Sequence, residues 1–292
     1  MSSKNERKTP TLAPAATNQC CRNGKYLEGP ERGNVPDDKV AWNVEFKEYK
    51  PVHYTSPKVI AKPVWADVYI ETEKIVLKFN KVDGKVNRVS HTGEIRVVAG
   101  LPLNVVGRTG VTGRGLLGRW GPNHAADPVV TRWKQDDKGQ KVLHATSKKP
   151  ILQFVAIKRI DTGEWAVPGG MVEVGDSVSR TLKKEFGEEA LNTMTMDKKQ
   201  QKEVGKQVTE LFKKGNVLYK GYVDDPRNTD NSWMETVAVN YHDHKGAFHK
   251  FKLQAGDDAG QVAWVDVDST LNLYASHSYF VMGAAKVNDA QW

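Results

Sequence analysis

The chain has 292 residues but only two cysteines, Cys20 and Cys21, and they are neighbours. Adjacent cysteines cannot staple distant parts of a fold, so the sequence predicts a fold without disulfides, in a reducing compartment. Long apolar runs are also missing. None approaches the roughly 20 residues that a spanning helix needs, and mean hydropathy is −0.57, so no membrane partner is expected. No apolar stretch lies near the start, so a secretory signal is not expected either. There is no His/Cys pairing at zinc-site spacing and no internal repeat. Lys+Arg 43 exceeds Asp+Glu 35, a net charge of +8. No dense basic block or aromatic-studded basic sheet motif accompanies that excess, so small anionic ligands are favoured over nucleic acid.

Length over roughly 150 residues per domain predicts two domains. Residues 1–36 are rich in Pro, Asn, Ser and charge and read as a disordered leader. Glu6, Glu28 and Glu31 make that leader a poor mitochondrial presequence. Residues 37–149 read as a smaller strand- and loop-rich domain. In it Trp42, Val44 and Phe46 alternate with polar residues, and Ile75–Asn80 is a strand candidate. Turns are expected at Asp83-Gly84 and Thr92-Gly93, and the polar stretch 135–150 reads as an inter-domain linker. Residues 150–292 mix strands (151–159, NVLYKGYV, METVAVNY, QVAWVDV) with helices at 177–191, 199–214 and 278–288. That mixture predicts an α/β layer fold with a mixed sheet.

Chemistry concentrates in Gly169–Leu191. At 100° per residue, Val178, Leu182 and Phe186 fall within an arc of about 80° and face a core. Glu185, Glu188 and Glu189 stand at i, i+3 and i+4 and form one carboxylate cluster beside that stripe. Clustered like charges need a counter-charge. One reading is a solvated acidic face paired with Lys183 and Lys184; the other is a hard divalent cation such as Mg²⁺. Pro168, Gly169 and Gly170 precede the helix, and glycines there let backbone approach an anion closely. The combination suits phosphate or pyrophosphate chemistry.

This segment resembles the Nudix box, Gly-x5-Glu-x7-Arg-Glu-U-x-Glu-Glu-x-Gly-U, aligned without gaps from Gly170. The resemblance implies that Glu185, Glu188 and Glu189 are the catalytic, metal-binding glutamates. Asp176 replaces the family's Glu, Lys184 its Arg, Phe186 the usual aliphatic residue, Leu191 its Gly and Asn192 the final apolar residue. Each of the first two keeps its charge sign, so an Asp176–Lys184 pair is expected, without the fork that Arg offers.

Longer stretches, Tyr219–Asp243, Ala255–Val267, Leu273–Ser278, Gly113–Trp133 and the WAVPGGMV lead-in, are similar to the ADP-ribose pyrophosphatase branch of the Nudix hydrolases. That resemblance implies a Nudix α/β/α sandwich behind the smaller first domain, with ADP-ribose as small-molecule substrate in a cleft between them. It implies hydrolysis to AMP and ribose 5-phosphate with Mg²⁺, or Mn²⁺, as cofactor, by a monomer in the cytoplasm or mitochondria. Gly169, Gly170, Asp225, Arg227, Tyr274 and Ser276 are the expected substrate contacts. For Asp225 an Asx-type turn is the competing reading, since the segment is rich in turn formers; for Tyr274 it is an ordinary core position. The general base is open among Glu189, Asp257 and Asp258. GRGLLG matches G-x-G-x-x-G formally, but Trp120-Gly121-Pro122 leaves no room for the following helix, so a structured loop is expected instead. His124 and His277 read as packing or hydrogen-bonding residues. A second class of function, an ADP-ribose-binding sensor module of a melastatin-type cation channel, shares the same resemblance. All three glutamates are present, which favours the enzyme.

Overall fold

The computed structural model describes residues 18–292 apart from 69, 71–74, 161, 192–195, 247, 249–252 and 256–258; within it the side chains of Glu189 and Ala259 are not described. In chain order the elements are β1 (Val52–Thr55), α1 (Pro57–Ile60), β2 (Val82–Asp83), β3 (Val86–Asn87), β4 (Val97–Val98), β5 (Leu101–Pro102), β6 (Val111–Gly115) and β7 (Gly121–Trp133). Then come β8 (Leu152–Arg159), β9 (Trp165–Ala166), β10 (Gly170–Met171), α2 (Val178–Glu185), a π-helical turn (Phe186–Ala190), α3 (Lys198–Leu211), β11 (Asn216–Val223), β12 (Ser232–His242), β13 (Ala259–Asp266) and α4 (His277–Val287).

A seven-stranded mixed sheet runs β11-β12-β7-β8-β13, with β10 on β7 and β9 on β8. Side chains alternate across a sheet with period two, and two cores result. Ala126, Val130, Val155, Val237 and Val239 meet Leu182 and Phe186 of the α2 arm and Val204 and Val208 of α3 on one face. Val129, Phe154, Ala156 and Ala238 meet Phe280, Val281 and Ala284 of α4 on the other. The α/β/α sandwich follows directly. Helix starts are capped by side chains: Ser177 accepts from the Arg180 amide, and Asp197 forms a capping box with Gln200. No helix among the described residues is long and apolar enough to cross a membrane.

The geometry that makes a cleft is a parting of strands. β7 pairs with β8 only at Thr131–Trp133, whereas β10 covers β7 at Ala125 and Ala126. β9 meanwhile covers β8 at Ile157 and Lys158. Between these contacts β7 and β8 splay apart, and the Val167–Gly170 crossing from β9 to β10 spans the opening.

Several expectations need correction. The 135–150 stretch is no linker but the turn of a β7–β8 hairpin, closed by bridges Gln135–Lys141 and Leu143–Pro150. A division at 149/150 therefore cuts that hairpin and takes the central strand from the sheet; a division before Gly121 keeps the sheet whole. Residues 18–36 are packed, with Asn18, Cys21, Tyr26 and Val35 essentially inaccessible; residues 1–17 lie outside the described ones. Among the described residues Ile75–Asn80 pairs with no strand, and Trp42, Val44 and Phe46 lie in a loop. Their alternation serves a cation instead of a sheet: the Arg108 guanidinium lies 5.0 Å from the Trp42 ring, 5.3 Å from Tyr49 and 5.8 Å from Phe46. Gly113 and Gly115 belong to β6, with Gly118 in the turn beyond it, so GRGLLG opens no helix.

Candidate functional site

All six residues expected to contact substrate line one cleft of about 120 Å³ at the strand parting: Gly169, Gly170, Asp225, Arg227, Tyr274 and Ser276. A roomier hollow of about 520 Å³ between the end of α3 and β12 carries none of them. Chemistry, not volume, marks the site.

One wall is built on the two glycines. A Cβ on Gly170 would lie 2.4 Å from the Glu185 carboxyl carbon, and one on Gly169 would lie 2.1 Å from Asp127 Oδ1. The sequence suggests that these glycines admit a ligand's anion; in the structure they admit two of the protein's own carboxyl groups. Glu185 ends α2, immediately before the π turn that carries Glu188 and Glu189. An i→i+5 turn there replaces the regular α-helix expected through Leu191, and such turns recur at functional sites. Burial, with Glu188, Glu173 and Asp127 adding like charge, pushes the Glu185 carboxyl up to about 7 despite Lys184. Asp127 is pushed to about 6 by burial, although Thr236 donates its hydroxyl to Oδ2. The wall is a set of acids short of positive charge.

The bracing pair differs from expectation. Lys184 binds Glu173, and Asp176 binds Arg180 at 3.0 Å, four residues on along the helix. Asp176 stands just before the N-cap, where its carboxylate meets the first turn, so Lys184 at the far end takes the loop glutamate instead.

The opposite wall is electrostatically complete. Arg227 Nε and Nη2 grip Asp225 at 2.7 and 2.6 Å, and the Arg227 amide donates to Asp225 Oδ1 at 2.8 Å. The Asx-type turn and the cleft position are therefore one arrangement. The loop is held from behind by the N-terminal strap: Tyr26 donates its hydroxyl to the Arg227 carbonyl, and Arg32 donates to the carbonyls of Pro226 and Asn228.

The Arg159 guanidinium lies 4.3 Å over the Tyr274 ring. His277 accepts the Val167 amide at Nδ1, which leaves its proton on Nε2, and burial pushes its pKa down to about 4. Ser276 takes the N-cap position of α4 without a side-chain cap bond. His124 makes a contact of 3.1 Å from Nε2 to the Val89 carbonyl, in keeping with a hydrogen-bonding role.

Three further polar or charged residues line the cleft that the sequence does not single out: Asp127, Arg159 and Thr236. Asp127 precedes Pro128, and only its register beside Ala238 reveals its place in the cleft. Arg159 ends a strand whose pattern is set by its apolar residues. Asp257 and Asp258 lie outside the described residues, as does the Glu189 side chain.

Residues 35–121 match the family described as NUDT9-like, N-terminal domain. That match ends where β7 begins. Over 264 residues, 90% of this chain and 75% of the relative, the sequence is 55% identical to the ADP-ribose pyrophosphatase, mitochondrial, of Rattus norvegicus. It is 48% identical over 268 residues to putative nudix hydrolase 6 of Caenorhabditis elegans, covering 90% and 95% of the two chains. It is also 53% identical over 265 residues to the transient receptor potential cation channel subfamily M member-like 2 of Nematostella vectensis, covering 89% of this chain but only 17% of the channel.

Proposed function

The chain belongs to the Nudix hydrolase family, and from that premise we propose that it hydrolyses the pyrophosphate of ADP-ribose to AMP and ribose 5-phosphate. The observation that carries this reading is the asymmetry of the cleft. Two carboxyl groups, buried Asp127 and half-buried Glu185, crowd against Gly169 and Gly170 on one side, and a forked guanidinium stands on the other.

The donor set fits a hard divalent cation. Glu185 sits in a cradle that a single Cβ would fill, and its neighbours add negative charge that Lys184 only partly offsets. Glu185, Glu188 and Glu189 would hold Mg²⁺, with Mn²⁺ as substitute. When bound, the ion offsets the charge of the pyrophosphate and acidifies water at the site. Arg227, already oriented by Asp225, offers its Nη1 edge to a phosphate oxygen. Tyr274, with Arg159 on its face, offers an aromatic surface, and Ser276 a hydroxyl. His277 keeps a neutral imidazole with its Nε2 proton available to a ribose oxygen. Asp127 holds Thr236 in place and keeps the glycine side negative.

The cleft is complete within one chain, which supports a monomer. The rat relative's printed name supports a mitochondrial setting. The test is incubation of purified chain with ADP-ribose and Mg²⁺, followed by chromatography; AMP and ribose 5-phosphate in equal amounts are expected. The match to the anemone channel supports a second reading, an ADP-ribose sensor. Saturable binding of ADP-ribose with no AMP formed would select it.

A further inference from the structure

On the sheet, away from the glutamates of α2 and its π turn, lies a second polar cluster that the hydrolase reading does not use. His124 of β7 and Glu235 of β12 are register partners. The loop between β3 and β4 lays His91 against them. The two imidazoles stack with ring centres 4.6 Å apart and planes tilted by 27°. One nitrogen of each and one oxygen of Glu235 all lie within 4.8 Å of one another.

Glu235 is fully buried. It accepts the Ser90 hydroxyl at 2.6 Å, the Trp233 indole N–H at 2.8 Å and the His91 amide. All three donors are neutral. The ring nearest its free side, His124, approaches to 3.8 Å at Nε2 but is kept uncharged by burial, with the nearby Lys220 adding to the effect. His91 is held neutral for the same first reason, and its Nε2 is buried with no hydrogen-bond partner. A buried carboxylate, whose charge the nearby Lys220 partly offsets against burial, thus faces two uncharged imidazoles, one with an unsatisfied nitrogen. Leaving a charge and a polar atom in that condition is costly. A cation among the three relieves both.

We propose that His91, His124 and Glu235 form a site for a borderline divalent transition ion of the Zn²⁺ class. Two imidazole nitrogens and one carboxylate oxygen suit zinc and not Mg²⁺, which demands oxygen ligands. Zinc–nitrogen bonds of about 2.0–2.1 Å bring tetrahedral ligand atoms to roughly 3.4 Å of each other. The side chains therefore close by about an ångström on loading, and His124 Nε2 exchanges its 3.1 Å contact with the Val89 carbonyl for the ion. The Ser90 hydroxyl and the His91 amide already hold that loop against Glu235, so the adjustment falls on the two imidazole side chains. The consequence is local bracing. The His124 carbonyl accepts the Val172 amide at 2.8 Å, next to the Gly170–Met171 strand, so the ion would tie the first-domain loop to the strand that bears the glycine window.

Calorimetric titration with ZnCl₂ alone tests this, in the full chain and in a Glu185→Gln/Glu188→Gln background that removes the acidic cluster. One ion per chain is expected in that background, with affinity at least tenfold weaker after His91→Ala or His124→Ala. CoCl₂ gives a second readout: visible bands of four-coordinate Co²⁺ that vanish in His91→Ala. His91 stands on a loop and is only half-buried, so its variant should keep the melting curve of the ion-free parent and carries the test if His124→Ala does not fold. Equal zinc affinity with and without His91, or no binding in the Glu185→Gln/Glu188→Gln background, overturns the site.

Discussion

Asp225 lines the cleft and half-buried Glu185 lies against its Gly170 wall, and the two carboxyl groups keep different company. Asp225, 2% exposed, has a guanidinium bound across both oxygens and a backbone amide besides. Glu185 has burial, Glu188, Glu173 and Asp127 against it and only Lys184 for it. Burying a charge is tolerable when it is paired and costly when it is not. One wall is therefore finished by the chain itself, and the other, on the function proposed above, would be finished by a cation from solution. The difference teaches where rigidity and where loading should be found.

The sharpest way to break the comparison is to remove the unfinished side. Glu185→Gln with Glu188→Gln should abolish Mg²⁺ binding and cut ADP-ribose turnover by on the order of 10²–10³-fold or more, the scale of losing a principal electrostatic stabiliser. Single-turnover assays with calorimetric Mg²⁺ titration would check both. Near-normal turnover would mean that the acidic wall is only a solvated face.

Gly170→Ala should come next. Its Cβ would meet the Glu185 carboxyl at 2.4 Å, so the carboxylate must leave or the loop must move. A loss of Mg²⁺ affinity with an intact melting curve is expected. The finished wall should respond less: Arg227→Lys keeps the charge but loses the fork on Asp225, and a rise in KM of about tenfold is expected, the worth of one charge-assisted hydrogen bond. A larger fall in kcat than rise in KM would count against a binding role.

The unfinished wall also predicts a pH dependence with a definite sign. The folded-state Glu185 carboxyl lies at about 7, above its ordinary value of 4.5. A raised carboxyl contributes stability below the ordinary value and loses it as pH rises through the folded one. The ion-free chain should therefore lose stability between about pH 4.5 and 7 from this group, while Mg²⁺, which binds the ionised form, should raise Tm increasingly over the same window. Melting curves with Mg²⁺ and with a chelator, taken from pH 5 to 8, would show the gap widening upward.

Much of this contrast was legible in the residues. The glutamates stand in a recognisable spacing, and Asp225 with Arg227 lies in a turn-rich segment that reads as functional. What could not be read is what depends on register and on nearest neighbours. Asp127 enters the cleft because β7 and β8 part beside it, and a strand parting leaves no local signature. Lys184 chose Glu173 over Asp176 because a helix start offered Asp176 a closer cation in Arg180. Trp42 and Phe46 alternate as strand residues do, yet they surround Arg108. The polar 135–150 stretch reads as a linker because hairpin turns and linkers share a composition. The π turn is invisible because Phe186–Ala190 carries the same apolar face in either helix.

Asp127→Asn gives the finest cut between the two walls, and the smallest effect. The amide oxygen can still accept the Thr236 hydroxyl, so the local fold should stand while one negative charge leaves. Asp127 is the last and smallest of the groups that raise Glu185. Its removal should let Glu185 ionise at slightly lower pH, moving the acidic limb of the pH–rate profile down by less than about one unit. Rates at pH 8, where Glu185 is already ionised, should change by less than about tenfold. A limb that stays in place would mean that Asp127 does not share the electrostatics of Glu185. A rate lost at every pH, with the limb unmoved, would mean that Asp127 itself must be charged for turnover, and the finished and unfinished walls would then need redrawing around it.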